Sequence, residues 1–269
     1  MLSDHQRGQA AALLHRAETD RRPIAPLTEL FPGITTEDAY EIQLRLIRAR
    51  TTPGADGTPA PARITGHKVG LSSPVMQAMM GVDEPDYGHL LDTMALAPDR
   101  PVSLGRYCAP RVEVEIGFLL GADLPGADCT VADVLAATEQ VVPALELIDS
   151  RVADWRISIA DTIADNASSA GYVIGPGRDP RELDLTAVDA VLTDDTGTRL
   201  ATGRSDAVLG DPAASVAWLA RTVARFGVPL RKGHLILPGS CTRAVDVTAG
   251  RTYTAEFTGL GGVSLAFRR

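Results

Sequence analysis

Several features are missing from this sequence, and each absence closes off a class of function. There is no cluster of lysines and arginines: the 269 residues carry a formal charge of −8, with a pI near 5.1. A chain of that sign offers little to a phosphate backbone, which argues against nucleic acid as a partner. No apolar run approaches the roughly 18 residues a membrane span needs, so no membrane partner is expected. The opening residues, Met1-Leu2-Ser3-Asp4-His5, show no basic segment followed by an apolar core, so no signal peptide is expected. Cysteine is scarce. Cys108, Cys129 and Cys241 lie far apart, with no CxxC or Cys/His cluster. That argues against a zinc site and for reduced thiols in the cytoplasm. Gly259-Leu260-Gly261-Gly262 is not a dinucleotide fingerprint, because strand-like residues follow it where a helix should. Ser240 lies in Pro238-Gly239-Ser240-Cys241 rather than in GxSxG, which removes the nucleophile elbow. No internal repeat is present.

What remains is a chain of ordinary soluble composition, 45% hydrophobic and 22% charged. Its length suits one large domain, or one domain with a small appendage. Ser3 and Gln6 predict a capped first helix with Leu13, Leu14 and Ala17 on its apolar stripe. Thr35 and Asp38 cap a second, carrying Tyr40, Leu44 and Ile47. The turn-rich stretch Thr52 to Pro61 then ends a small helical region, residues 1–61. Beyond it, residues 62–269 read as a β-rich domain. Arg63 to Leu71 is a strand running into a glycine turn, and Ser73-Pro74 starts a short helix through Met79 and Met80. Glu84 to Leu91 is a turn and a short strand. Thr130 and Asp133 cap a helix that stops before Pro143, and Ala144 to Asp149 is a further short strand. Asp161 to Gly171, small and polar, reads as a loop or capped turn that allows close backbone approach. A hairpin spans Leu185 to Ala201 with Gly197 near its turn. Asp211-Pro212 opens a helix whose buried stripe is Val216, Leu219, Ala220, Val223 and Phe226. The tail is β again. Many short strands with few helices give an α+β fold with a substantial mixed or antiparallel sheet.

The chemistry centres on Arg111-Val112-Glu113-Val114-Glu115-Ile116-Gly117-Phe118. Strict alternation makes it a strand with apolar residues on one face and Glu113 and Glu115 on the other. Two carboxylates so placed can share one cation, or lie on a solvated outer face. Glu146 lies inside the apolar run Pro143 to Ile148, where a carboxylate must be paired or metal-bound. Three glutamates from two strands make an all-oxygen site that favours Mg²⁺ or Mn²⁺. The alternative for Glu146 is a buried salt bridge with Arg151 or Arg111. Lys68, just before a glycine turn, is either a surface lysine or a buried one. Burial beside a metal cluster would push its pKa down and let it move protons. Asp86 reads from local sequence as a turn aspartate. His67, His89 and His234 are isolated in sequence and suit core or surface roles.

Six ordered segments carry a resemblance. Gly66 to Ser73 resembles a GxKxGLTS motif, with Ser72 where many relatives carry Thr. Gly81 to Gly88, Arg111 to Gly117, Pro143 to Trp155, Asp165 to Ser169 and Leu237 to Thr242 follow in order. Together they resemble the 2-hydroxypentadienoate (2-keto-4-pentenoate, vinylpyruvate) hydratases of aromatic-ring and steroid catabolism, within the fumarylacetoacetate hydrolase superfamily. The 4-oxalocrotonate decarboxylases share most of these motifs.

The resemblance implies a mixed, partly rolled β-barrel of the fumarylacetoacetate hydrolase C-terminal-domain type with a small helical N-terminal region. It implies that Glu113, Glu115 and Glu146 hold Mg²⁺ or Mn²⁺, and that Lys68 and Asp86 form the acid–base pair. Ser168, Leu71 and Ser72 would line the substrate pocket. The implied substrate is a 2-hydroxy-2,4-dienoate, hydrated to a 4-hydroxy-2-oxo acid, and the implied assembly a homo-oligomer larger than a dimer. A decarboxylase on the same metal site is the alternative, favoured by an extra cationic pocket residue; Arg243 is the candidate, not placed by sequence. A carbon–carbon hydrolase of the same fold would need a His/Glu pair, and no HxxE-type motif stands out. A non-catalytic, metal-stabilised oligomer subunit is the rival from another class.

Overall fold

The computed structural model describes residues 1–53 and 61–269, so most of the Thr52 to Pro61 linker lies outside the described residues. Three helices come first: α1 (Asp4–Asp20), α2 (Leu27–Leu30) and α3 (Thr36–Thr51). Both predicted capping boxes are present, Ser3 with Gln6 and Thr35 with Asp38. α1 stops at Arg21, which turns left-handed at φ 53°. The short α2 is unforeseen. The buried stripes sit slightly to one side of the predicted ones. α1 buries Ala10, Leu14 and Ala17, and α3 buries Tyr40, Ile42, Gln43, Leu46 and Ile47, while Leu13 and Leu44 are half-buried. The cause is packing: α1 lies on α3, and α3 lies on a later helix, so two neighbours set the faces.

The rest alternates strands and short helices: β1 (Ile64–Gly70), α4 (Pro74–Met80), β2 (Asp86–Leu91), β3 (Val102–Ser103), β4 (Arg111–Leu120), α5 (Val131–Ala137) and β5 (Thr138–Ile148). Then come α6 (Ile159–Ala164), β6 (Ser169–Ile174), β7 (Asp189–Asp194), β8 (Arg199–Arg204), α7 (Pro212–Ala224), β9 (Leu235–Leu237), β10 (Val245–Asp246), β11 (Thr252–Phe257) and β12 (Gly261–Arg268). One seven-stranded sheet runs β2-β1-β9-β4-β5-β6, with β10 also on β4; a five-stranded sheet runs β3-β12-β11-β7-β8. The pairing is mixed, since β1 runs parallel to β9 and the other neighbours in the path of the large sheet are antiparallel. The large sheet curls. Thr65 Oγ1 lies 3.2 Å from Tyr172 Oη, joining strands near opposite edges. β11 and β12 pack on β5, against this half-barrel.

Three local expectations are corrected. Pro143 ends no helix: α5 stops at Ala137, and Pro143 sits inside an eleven-residue β5. Its carbonyl accepts from Gly175 N just past the end of β6. The N and O of an antiparallel residue share an edge, so the missing N–H faces a place where the neighbouring strand has stopped. Asp161 to Gly171 is not one loop but the end of α6, a tight 3₁₀ turn and the start of β6. Phe226 is 39% exposed, because α7 ends at Ala224 and its period no longer applies.

Register arithmetic decides which side chains face inward. Glu113 is directly opposite Glu146, Glu115 opposite Ala144, and Gly117 opposite Val142. Lys68 is opposite Leu237 on one side and Gly88 on the other; Gly70 is opposite Asp86. Side chains alternate between faces along each strand, so Lys68, Asp86, Glu113, Glu115 and Glu146 all fall on one face. Val112, Val114, Ile116 and Phe118 occupy the other face of β4 and are fully buried in the main core. Burying each such side chain contributes about 1.5–3 kcal/mol. Leu90, Val142, Ala144, Tyr172, Leu235 and Leu237 form a second apolar cluster on the glutamate side.

Candidate metal and acid–base site

The three glutamates converge. Each offers a carboxylate oxygen, and these oxygens lie within 4.8 Å of one another. Glu115 and Glu146 are fully buried and Glu113 is half-buried, so the outer-face alternative for this strand is overturned. The buried oxygens are poorly served. Glu115 Oε2 accepts from Gly239 N at 2.8 Å, but Glu115 Oε1 and Glu146 Oε1 have no hydrogen-bond donor, and Glu146 Oε2 faces only an ammonium. Burial pushes the pKa of Glu115 well up, and Glu146 and Glu113 push it further. Burial likewise lifts Glu146 to about 7, against the pull of Lys68. A cluster of carboxylates at this expense, all oxygen and short of donors, fits a hard divalent cation.

Glu146 does take a cationic neighbour, but not the expected one. Lys68 Nζ lies 3.3 Å from Glu146 Oε2, whereas Arg151 pairs with Asp165 and Arg111 with Asp246. Lys68 is 3% exposed, which overturns the surface-lysine alternative. Its Nζ donates to Ala167 O at 3.0 Å. An ammonium has three donors, and these contacts occupy two. The expected fall in its pKa is also corrected. Burial does work against the charge, but Glu146, Glu113, Asp86 and Glu115 outweigh it and hold the pKa above its ordinary value. Asp86 is not a turn residue: it opens β2 and is 1% exposed. Its carboxyl lies over Gly70, where a Cβ would fall 2.1 Å from Asp86 Oδ1. Burial raises its pKa, opposed by the charge on Lys68.

Of the other predicted residues, Ser168 and Ser72 lie beside this core. Ser168 is buried and left-handed at φ 58°, with its Oγ 3.4 Å from Thr162 Oγ1. Leu71 is left-handed at φ 53° and half-buried. The Ser72 hydroxyl fills the space a Cβ would take on Gly239, the residue that donates to Glu115. Arg243 is exposed and spends one nitrogen on Leu200 O at 2.8 Å. The histidines are not isolated in space. His67 and His89 are cross-strand partners with ring centroids 4.8 Å apart, and His234 lies 5.9 Å from His67. They occupy the face opposite Lys68, and burial lowers the pKa of His67 and His89, the latter to about 4. Sequence reasoning gave no role to Gln43 or Asn166, both buried. Gln43 had a signal: it is a polar residue within the α3 stripe Tyr40, Ile47.

A curled half-barrel sheet with a few helices is the fold of the fumarylacetoacetate hydrolase superfamily. No family model matches the chain. Curated proteins and solved structures do. The chain is 43% identical over 267 residues to a 2-keto-4-pentenoate hydratase of Paraburkholderia xenovorans (strain LB400), covering 99% of this chain and 96% of that protein. It is 42% identical over 257 residues to a 2-hydroxyhexa-2,4-dienoate hydratase of Comamonas testosteroni, covering 94% of each. In structure it resembles the 4-oxalocrotonate decarboxylase of Pseudomonas putida G7, solved with magnesium and adipate, with a TM-score of 0.91, 35% identity and 99% coverage of both chains. The chain belongs to the 2-keto-4-pentenoate hydratase family, a family of hydro-lyases.

Proposed function

We propose that the chain hydrates 2-hydroxypenta-2,4-dienoate, or its six-carbon homologue, to the 4-hydroxy-2-oxo acid, as a step of aromatic or steroid breakdown. One observation carries the reading: the triglutamate cluster and the Lys68–Asp86 pair share one face of one curled sheet. The names of the two hydratase relatives support the substrate class. Glu113, Glu115 and Glu146 would hold Mg²⁺ or Mn²⁺, and the magnesium-bound relative supports a divalent ion. Bound there, the ion would supply Lewis-acid stabilisation of negative charge on the substrate's 2-oxygen.

The chain's own groups handle the protons. Ketonisation moves the 2-hydroxyl proton to the far carbon of the diene. Water then adds across the remaining double bond, with OH going to C4 and H to C3. Lys68 Nζ keeps its proton among the carboxylates and has one N–H free for the substrate. Asp86, with its pKa raised by burial, exchanges a proton more readily near neutral pH than an exposed aspartate. Ser168, Leu71 and Ser72 shape the pocket, and access is from the side of half-buried Glu113. Three unpaired cysteines suit the reducing cytoplasm. The working assembly is a homo-oligomer larger than a dimer. Light scattering at the 28.4 kDa of one chain would refute that.

The test is an assay of purified protein on five- and six-carbon 2-hydroxydienoates and on 4-oxalocrotonate, with Mg²⁺ or Mn²⁺ and with EDTA. Metal-dependent water addition to a dienoate is expected. Release of CO₂ from 4-oxalocrotonate without dienoate hydration would make the protein a decarboxylase. Metal binding with no turnover of any of them would make it a non-catalytic subunit.

A further inference from the structure

We infer that Asn166 is a positioning residue for the proton-transfer pair: its side-chain amide closes the free edge of β2 and locks the turn that aims Lys68. This rests on the acid–base roles given to Lys68 and Asp86 under Proposed function.

β2 is the outermost strand of the large sheet, paired on one edge with β1. Among the described residues no strand neighbours its other edge, yet that edge is not open. Asn166 Oδ1 accepts from His89 N at 2.8 Å, and Asn166 Nδ2 donates to His89 O at 2.9 Å. Those two bonds are what an antiparallel neighbour would make at a hydrogen-bonded pair. Two residues along, Gln43 Nε2 donates to Tyr87 O at 2.9 Å and to Ile163 O at 2.8 Å. Two side-chain amides therefore stand in for a missing strand, directly after Asp86.

The backbone of the same residue does the aiming. Asn166, Ala167 and Ser168 are consecutive, non-glycine and left-handed, at φ 56°, 50° and 58°. Side chains adopt this conformation only at a cost, so something must hold it. The result is that Ala167 O meets Lys68 Nζ at 3.0 Å and Ser168 O accepts from Asp149 N at 2.8 Å. The turn also presses on β2: a Cβ at Gly88 would fall 2.3 Å from Asn166 O. Without the amide the turn can relax, Ala167 O leaves Lys68, and the ammonium swings toward the glutamates. Asparagine suits the position twice over. It tolerates the left-handed region, and it offers one acceptor and one donor to a single backbone residue.

The test uses wild type, Asn166→Gly and Asn166→Asp. Glycine keeps the left-handed backbone and deletes the amide. Aspartate keeps the acceptor and loses the donor. For each, kcat, KM and Mn²⁺ affinity are measured with the dienoate across the acid and neutral range. In Asn166→Gly, kcat should fall about 10–10²-fold, the scale of a misplacement near 1 Å, with KM and Mn²⁺ affinity within about threefold of wild type. In Asn166→Asp the deficit relative to wild type should shrink as the pH falls, because the protonated acid regains a donor toward His89 O. A folded Asn166→Gly with kcat within about threefold of wild type overturns the inference. So does a parallel loss of kcat, KM and metal affinity, which marks a general structural role. If the glycine variant does not fold, the pH trend of Asn166→Asp decides, and if neither folds the positioning role is overturned in favour of folding. A wild type that turns over no dienoate strikes the acid–base reading and this inference together; an active wild type with indifferent variants strikes this inference alone.

Discussion

The helical N-terminal region and the site each bury a carboxylate completely, and they treat it in opposite ways. Asp38 accepts from Leu2 N at 2.9 Å, Thr35 N at 3.0 Å and Thr35 Oγ1 at 3.2 Å, and Arg7 Nη2 lies 2.7 Å from its other oxygen. Burial alone would raise its pKa, but these donors win and hold it at about 2. Glu115 has one donor, Gly239 N, two carboxylates beside it and a pKa well above the ordinary range. A carboxylate buried for structure is saturated with donors; one buried for a ligand is left short of them. The polypeptide bears a stability cost at the second place that it avoids at the first.

The largest effect should come from breaking the contrast at Glu115. Glu115→Gln removes a charge that the metal-free fold disfavours. The sign follows from the raised pKa: ionising Glu115 costs more in the folded than in the unfolded chain, so its penalty is absent below the unfolded value and grows as pH rises above it. In EDTA near neutral pH, Glu115→Gln should therefore melt above wild type. With Mn²⁺ the order should reverse, because only wild type gains binding energy. Turnover should fall at least about 10²-fold, beyond the loss typical of an outer-shell partner. A variant that melts lower than wild type in EDTA would mean the cluster is not strained.

Lys68→Met comes next and separates proton transfer from metal binding. It removes a positive charge from beside the cation site, so Mn²⁺ affinity should hold or rise. Turnover should fall by about 10²-fold, or about 2.7 kcal/mol in the barrier. Paired Mn²⁺ titration and turnover on the same protein decide it. If affinity collapses and excess Mn²⁺ restores the rate, Lys68 supports the site rather than moving protons.

The same contrast explains what could be read in the sequence. Alternation in β4 and a glutamate inside an apolar run are local patterns, and they were enough to pick out Glu113, Glu115 and Glu146. The caps at Ser3, Thr35 and Thr130 are local too, and all three form. The partners of these groups are not local. His67 meets His89 only through the β1–β2 register, and Lys68 meets Glu146 across 78 residues of chain (146 minus 68). Asp86 and Ser168 carried no local signal, and resemblance alone singled them out. Pro143 misled because proline inside a strand is rare and is tolerated here only where β6 has ended. Gln43 and Asn166 bond through their side chains to backbone atoms far along the chain, and although the place of Gln43 in an apolar stripe marks it as unusual, neither neighbourhood records the partner.

The smallest effect, and the sharpest control, belongs to Asp38→Asn. The change keeps the shape and deletes the charge that Arg7 and the cap donors were built around. It should cost about 1–2 kcal/mol at neutral pH, the scale of a lost helix cap and its hydrogen bonds. Turnover and Mn²⁺ affinity should stay within about twofold of wild type, because Asp38 touches no part of the site. The pH dependence gives the sign independently. A carboxylate with a depressed pKa stabilises the fold fully above its unfolded value, and that contribution disappears as pH falls through the folded value of about 2. Wild type and Asp38→Asn should thus melt several degrees apart at neutral pH, and their curves should converge on acidification. Glu115→Gln should show the opposite pattern in EDTA, nearest to wild type in acid and furthest from it at neutral pH. Curves for Asp38→Asn that stay parallel down to strong acid would mean that its charge was never the stabilising element, and the division between satisfied and reserved carboxylates would lose its structural half.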